Sequence, residues 1–121
     1  MQYLLLIHED ERVYADGDDG QAWKAIVDAH TRFAGELVQA GVMRGGAGLK
    51  PTATATTVKT RNGAQTVHDG PFAETHEQLG GYYLIDVPDL DQAIAWARKL
   101  PLAGDGSVEI RPVIEMDGPP A

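Results

Sequence analysis

The hydrophobic and polar positions in the first half of the chain predict a strand, a helix and a second strand. Residues 2–8 are apolar at nearly every position, which is typical of a strand buried on both faces. Residues 21–40 carry apolar side chains and His30 on one helical stripe, and Gly41 is a natural stop for that helix. An acidic segment precedes the helix, and its Asp18 or Asp19 is expected to cap it. Residues 42–47 predict a short strand, with a flexible glycine-rich stretch at 45–48.

The middle of the chain predicts a β-hairpin. Residues 54–61 and 64–68 are joined by Asn62-Gly63, the strongest short signal for a type I′ turn. A two-residue turn sets the register, so we expect Val58 to lie opposite Val67.

A second strand–helix–strand unit follows. Residues 80–87 are again apolar on both faces of a strand, and Asp89 is a strong N-cap for a helix that ends at Leu100 before a proline. Residues 107–113 predict the last strand, and residues 114–121 are expected to form a frayed tail.

This order of elements predicts one α+β domain over residues 1–113 with a ferredoxin-like plan, a split βαβ with an inserted β-hairpin. Two helices cover only one face of such a sheet, yet residues 2–8 and 80–87 are apolar on both faces. We therefore expect a homodimer in which the uncovered faces of two sheets meet, forming a dimeric α+β barrel.

Composition and charge exclude several function classes. The net charge is −8 and the basic residues are scattered, so direct binding to nucleic acid is not expected. No apolar run approaches the length of a membrane span. The chain has no cysteine, which excludes disulfides and fits a cytoplasmic location. No metal-ligand motif, phosphate loop or dinucleotide fingerprint occurs, so neither metal nor cofactor is predicted.

The segment Asp69-Gly70-Pro71-Phe72 is the most informative local motif. Glycine tolerates positive φ and proline restricts φ, so the segment predicts a turn between two strands, with the Asp69 carboxylate accepting from nearby amides. Phe72 is expected to anchor the turn on the core. Ionisable side chains cluster around this turn, which therefore either closes the fold or lines a cleft.

Five residues are candidates for a site. His30 is a candidate general base, because imidazole titrates near neutral pH, with Asp69 or Glu74 as its orienting carboxylate and Asp69 as a second catalytic candidate. His8 at the end of the first strand and Arg111 on the last strand are candidates for substrate binding, as is Glu74. Each has a structural alternative: a satisfied half-buried histidine, a turn-forming aspartate, a helix cap, or an arginine that pairs with Glu109.

The chain resembles the YCII-related family, and within it the subgroup named for its Asp-Gly-Pro-Phe motif. The resemblance rests on Asp69 to Phe72 and on several further segments in order: Gln2 to Ile7, Ala73 to Thr75, Glu77 to Gly81, Leu84 to Asp91 and Val108 to Val113. It implies a dimeric α+β barrel of ferredoxin-like subunits.

The same resemblance implies an acid–base pair in the broader family, a histidine on the first helix and an aspartate near the end of the second. His30 matches the histidine, but Leu100 occupies the aspartate position, so the pair is broken here. The subgroup is also similar to proteins encoded beside extracytoplasmic-function sigma factors. Two hypotheses stay open: a dimer that binds a small organic molecule in its dimer-barrel cleft, with acid–base catalysis by a histidine, or a non-catalytic ligand- or protein-binding accessory module in an extracytoplasmic-function sigma factor circuit.

Overall fold

The computed structural model describes residues 1–115 of the chain. It contains the following strands and helices, with short 3-10 helices at Glu11–Tyr14 and Thr52–Thr54: β1 (Gln2–Glu9), α1 (Gln21–Gln39), β2 (Met43–Gly48), β3 (Thr56–Arg61), β4 (Ala64–Asp69), β5 (Gln78–Asp86), α2 (Leu90–Lys99) and β6 (Gly106–Pro112). Most of the tail predicted at 114–121, residues 116–121, lies outside the described residues.

Four strands form an antiparallel sheet in the order β2-β5-β1-β6. With the β3–β4 hairpin set aside, this is the strand order of a ferredoxin-like fold, in agreement with the sequence. The sheet is open in the single chain and does not close into a barrel. The dimeric barrel therefore stays a prediction.

The two faces of the sheet differ in burial. Along β1 the side chains alternate, and Tyr3, Leu5, Ile7 and Glu9 are buried. Tyr3, Leu5 and Ile7 share the core with Tyr83 and Ile85 of β5, with Val87 directly after that strand, and with the inner sides of α1 and α2. We call the opposite side of the sheet the helix-free face. Its residues are half-exposed or exposed: Leu4, Leu6, His8, Tyr82, Leu84, Glu109 and Arg111.

The C-terminus of α1 and the N-terminus of α2 both have identifiable caps. Gly41 ends α1 with φ of 74°, and the amides of Gly41 and Val42 bond back to the carbonyls of Val38 and Leu37. This is a Schellman arrangement, as the glycine predicted. At the start of α2, the Asp89 carboxylate accepts from the Gln92 amide at 2.9 Å, which confirms the predicted N-cap.

The start of α1 differs from the prediction. Gly20 is the N-cap, and no side chain caps the helix, so the role expected of Asp18 or Asp19 was wrong. Gly20 is tightly enclosed, because a Cβ at this position would lie 2.8 Å from Asp16 Cβ. The backbone turn before α1 therefore places a glycine at the N-cap position, so no aspartate side chain is available there to cap the helix.

The hairpin of β3 and β4 forms a separate two-stranded sheet. Its register has Val58 opposite Val67, as the turn predicted, and Asn62 and Gly63 have φ of 52° and 79°. Val58 is 60% exposed and Val67 is 68% exposed. An isolated two-stranded hairpin is marginally stable in water, so this hairpin gains little from its own packing.

Strand β2 includes the glycines that were expected to be flexible. Gly46 and Gly48 pair in register with Tyr83 and Gly81 of β5. A Cβ on Gly46 would lie 2.9 Å from the Tyr82 carbonyl oxygen, so glycine here allows two strands to approach closely. The segment expected to be flexible is therefore part of a regular edge strand.

A candidate acid–base site beside His30

His30 lies on the side of α1 that faces the sheet, as its position in the apolar stripe predicted. Its Nδ1 atom is 2.8 Å from the hydroxyl oxygen of Tyr83 on β5. The two rings are stacked, with centroids 5.8 Å apart and an angle of 20° between the planes. Phe33, one turn further along α1, meets the same tyrosine edge-on at 5.2 Å. These aromatic contacts hold the imidazole in one orientation.

A buried carboxylate lies in the same layer between helix and sheet. Glu9, at the end of β1, is 8% exposed and is the one buried charged residue among residues 1–115. Its oxygens accept from the Tyr14 hydroxyl at 3.0 and 3.2 Å and from the Ala103 amide at 3.1 Å. Tyr14 in turn meets Trp23 of α1 edge-on, with ring centroids 5.5 Å apart.

The segment after α2 contacts the buried carboxylate. The Ala103 amide donates to Glu9 at 3.1 Å. Two residues earlier, the Pro101 carbonyl partly offsets the effect of burial on the pKa of His30.

The electrostatics of the site favour a neutral imidazole beside protonated phenols. Burial lowers the pKa of His30 below its usual 6.5, and the charge of Glu9 and the Pro101 carbonyl oppose that shift. Burial raises the pKa of Tyr83. Burial, followed by the charge of Glu9, raises the pKa of Tyr14. When the Tyr83 hydroxyl donates to Nδ1, the neutral ring carries its own proton on Nε2.

The structure does not bring Asp69 or Glu74 into hydrogen-bonding contact with His30. Asp69 ends β4, opposite Thr56, and is exposed. Glu74 is exposed in the following loop, where it lines a shallow surface recess of about 210 Å³ with Thr75 and His76. The carboxylate whose charge acts on His30 is that of Glu9.

The Asp-Gly-Pro-Phe turn is held by its backbone. Gly70 has φ of 108°, its amide donates to the Ala55 carbonyl at 2.7 Å, and its own carbonyl accepts from the Thr57 hydroxyl at 2.7 Å. Phe72 is 75% exposed, so the expectation that it anchors the turn on the core was wrong. The turn lies where β4 ends, and no part of residues 1–115 covers the ring.

His8 and Arg111 lie on the helix-free face, on the opposite side of the sheet from His30. His8 Nε2 is 3.3 Å from Glu109 Oε1, and Glu109 Oε2 is 3.3 Å from Arg111 Nη1. The predicted Arg111–Glu109 pair is therefore present. Within residues 1–115, His8 Nε2 is out of contact with solvent and has no hydrogen bond of good geometry.

Sequence reasoning missed Glu9, Tyr14 and Tyr83 as parts of the site. A signal for Glu9 existed, because it follows Tyr3, Leu5 and Ile7 with period two along β1. The predicted strand ended at His8, one residue too early. Tyr14 lies on a 3-10 helix in a polar stretch that gave no periodic signal.

Other features of the described residues are compatible with several functions. A surface recess of about 550 Å³ lies between α1 and α2 and includes Trp96, Arg32 and Lys99. Within residues 1–115, no three His, Asp or Glu residues are grouped closely enough to hold a metal ion. In the same part of the chain, no helix combines the length and apolar character that a membrane crossing requires.

Comparison with known proteins identifies the family. The YCII-related domain matches residues 1–117. An uncharacterised protein of Rhizobium meliloti (strain 1021) is 38% identical over 118 residues, covering 93% of this chain and 92% of that protein. The chain belongs to the YCII-related family.

Proposed function

We propose that this protein is a homodimer in which each subunit binds a small organic molecule beside His30 and catalyses a proton transfer between two positions of that molecule. The observation that carries the proposal is the contact between His30 Nδ1 and the Tyr83 hydroxyl, 2.8 Å apart in a half-buried site. A neutral histidine next to a protonated phenol supplies one group that takes a proton and one that donates a hydrogen bond.

The two groups suit proton abstraction next to a carbonyl. When the Tyr83 hydroxyl turns from His30 Nδ1 to the carbonyl oxygen of a bound compound, Nδ1 is free to take a proton from the α carbon of that compound. The C–H bond breaks, and its electron pair moves onto the carbonyl oxygen. The Tyr83 hydroxyl then donates to that oxygen, where negative charge develops. This is the first half of an isomerisation or of a lactone rearrangement, and return of the proton at another carbon completes it.

The homodimer rests on the helix-free face. Leu4, Leu6 and Leu84 lie there half-exposed on adjacent strands, and Tyr82 lies among them. Fully burying an exposed leucine contributes roughly 1.5–3 kcal/mol. These leucines are already partly covered, so each would gain a fraction of that value from a second copy placed face to face. In that arrangement His8, Glu109 and Arg111 would line the space between the sheets, and His30 would remain on the outer, helix side of each subunit.

Exchange of carbon-bound hydrogen with solvent tests the catalytic part and does not require the natural substrate. Small ketones and lactones would be incubated with the protein in D₂O, and loss of α-proton signals followed by ¹H NMR. We expect exchange with the wild type, loss of at least tenfold in His30→Gln, and no loss in the control His68→Gln, which alters a histidine on β4. Absence of exchange in the wild type across the panel, or retention in His30→Gln, would contradict the proposal.

A non-catalytic accessory module, for instance in a sigma factor circuit, is the second candidate. Two observations favour it. Leu100, where the resemblance implies an acid, is buried in the apolar core, and the recess between α1 and α2 offers Trp96 and Lys99 to a ligand or partner. Failure of hydrogen exchange, together with a ligand-dependent change in Trp96 fluorescence in a Trp23→Phe background, would favour this candidate.

A further inference from the structure

The β3–β4 hairpin presents apolar side chains that no part of residues 1–115 covers. Val58 and Val67 lie opposite each other on one face of the hairpin and are 60% and 68% exposed. Phe72, three residues after β4 ends, is 75% exposed. Because two strands alone are marginally stable in water, a hairpin normally gains its stability from packing its apolar face on another element. The valine face therefore needs a covering surface that the single chain does not supply.

The hairpin leaves the four-stranded sheet beside the helix-free face. The chain leaves β2 at Leu49, whose amide donates to the Gly80 carbonyl at 2.8 Å, and it returns to the sheet at Gln78, where β5 begins. Leu79 lies opposite His8 of the helix-free face and is 41% exposed. Exposed apolar side chains therefore continue from that face to the base of the hairpin.

The charge of the hairpin segment is opposite to that of the rest of the chain. Residues 49–68 contain Lys50, Lys59 and Arg61 and no acidic residue, whereas the other residues carry seven basic and 18 acidic side chains. Within residues 1–115, none of these three cations lies within 4.0 Å of a carboxylate. Two copies of a chain with a net charge of −8 repel each other, and a basic segment is attracted to the acidic surface of the other copy.

The hairpin is also long enough to reach a second molecule. Each strand has six residues, which gives an extension about 20 Å long at the usual rise per residue. The two strands form a sheet of their own and are not paired with the four-stranded sheet. The hairpin can therefore lie on another subunit while the sheet of its own subunit stays intact.

We propose that the β3–β4 hairpin is an arm that packs on the second subunit of the homodimer, with Val58 and Val67 against that subunit. The occupant is a second copy of this chain, because the arm adjoins the face that the proposed dimer uses and its charge complements the rest of the chain. In a two-fold dimer the contact occurs twice, so each subunit both provides and receives an arm. The inference rests on the proposed homodimer and is independent of the chemistry at His30.

Sedimentation equilibrium over a dilution series tests the arm. Val58→Thr combined with Val67→Thr keeps the β-branched shape and the strand propensity but removes apolar surface. We expect this double variant to dimerise at least tenfold more weakly than the wild type, because each substitution acts twice in a two-fold dimer. The matched control Val38→Thr alters a valine on α1 that is 65% exposed, and it is expected to leave the dimer unchanged.

The outcomes separate the arm from the dimer itself. A double variant that dimerises as tightly as the wild type would overturn the arm and leave the homodimer standing. A monomeric wild type would overturn both.

Amide hydrogen exchange tests the arm without changing the hairpin. Leu6→Glu places a charge on the helix-free face and is expected to be monomeric, so its hairpin has no second subunit to pack on. We expect the amides of residues 56–69 to exchange at least tenfold faster in this variant than in the wild-type dimer, while those of β5 stay protected. Equal exchange of the hairpin amides in monomer and dimer would overturn the inference.

Discussion

The two faces of the central sheet use the same strands for different purposes. On the helix-covered face, the side chains of β1 run Tyr3, Leu5, Ile7 and Glu9, and all four are buried. On the helix-free face, Leu4, Leu6 and His8 alternate with them and stay half-exposed. One face is completed by the chain itself, and it holds both the core and the His30 site. The other presents half-exposed leucines that no part of residues 1–115 covers, which is why we propose that another copy completes it.

The largest effect expected from this comparison concerns stability. Leu5 is fully buried, so Leu5→Ala is expected to lower the free energy of unfolding by about 2–5 kcal/mol, whatever the protein concentration. Leu6→Ala is expected to cost less within one subunit, and its cost should increase with protein concentration, because the lost area belongs to the interface. Urea denaturation at two concentrations measures both. If Leu6→Ala lowers the free energy of unfolding as much as Leu5→Ala does, and by the same amount at both protein concentrations, the proposed distinction between the two faces is contradicted.

A smaller effect is expected in the pH dependence of the helix-covered face. Because burial lowers the pKa of His30 in the folded state, the unfolded chain binds a proton at this residue more readily near pH 6.5. The contribution of His30 to the free energy of unfolding is therefore fully present above about pH 6.5. It is lost as the pH falls below that value and passes through the lowered pKa of the folded state. Thermal unfolding from pH 8 to 5 is expected to show a shallower decline for His30→Gln than for the wild type. An equally steep decline in the variant would contradict this assignment.

Much of the fold could be predicted from local patterns. The Asn62-Gly63 turn sets the hairpin register directly, because a two-residue turn leaves one pairing of Val58 with Val67. Apolar residues on both faces of β1 predicted a sheet that two helices could not cover alone. These predictions need only the period of side chains and the turn chemistry.

The candidate site was harder to predict from local patterns, because its residues come together only when the helices pack on the sheet. His30 was found from its place in a helical stripe, but its partner Tyr83 lies on a strand 53 residues later. Glu9 sits beside Asp10 and Glu11 in the sequence, and its burial depends on how α1 and the 101–103 segment cover the end of β1. Phe72, apolar and beside a turn, was expected in the core, but no described part of the chain covers it.

Sedimentation equilibrium at micromolar concentration tests most directly whether two copies share the helix-free face. We expect the wild type to have twice the chain mass of 13.0 kDa. Leu6→Glu, which places a charge on that face, should sediment as a monomer with an unchanged circular dichroism spectrum. The control Val38→Glu, which places the same charge on an exposed position of α1, should remain a dimer. A monomeric wild type, or a Leu6→Glu dimer as stable as the wild type, would contradict the account.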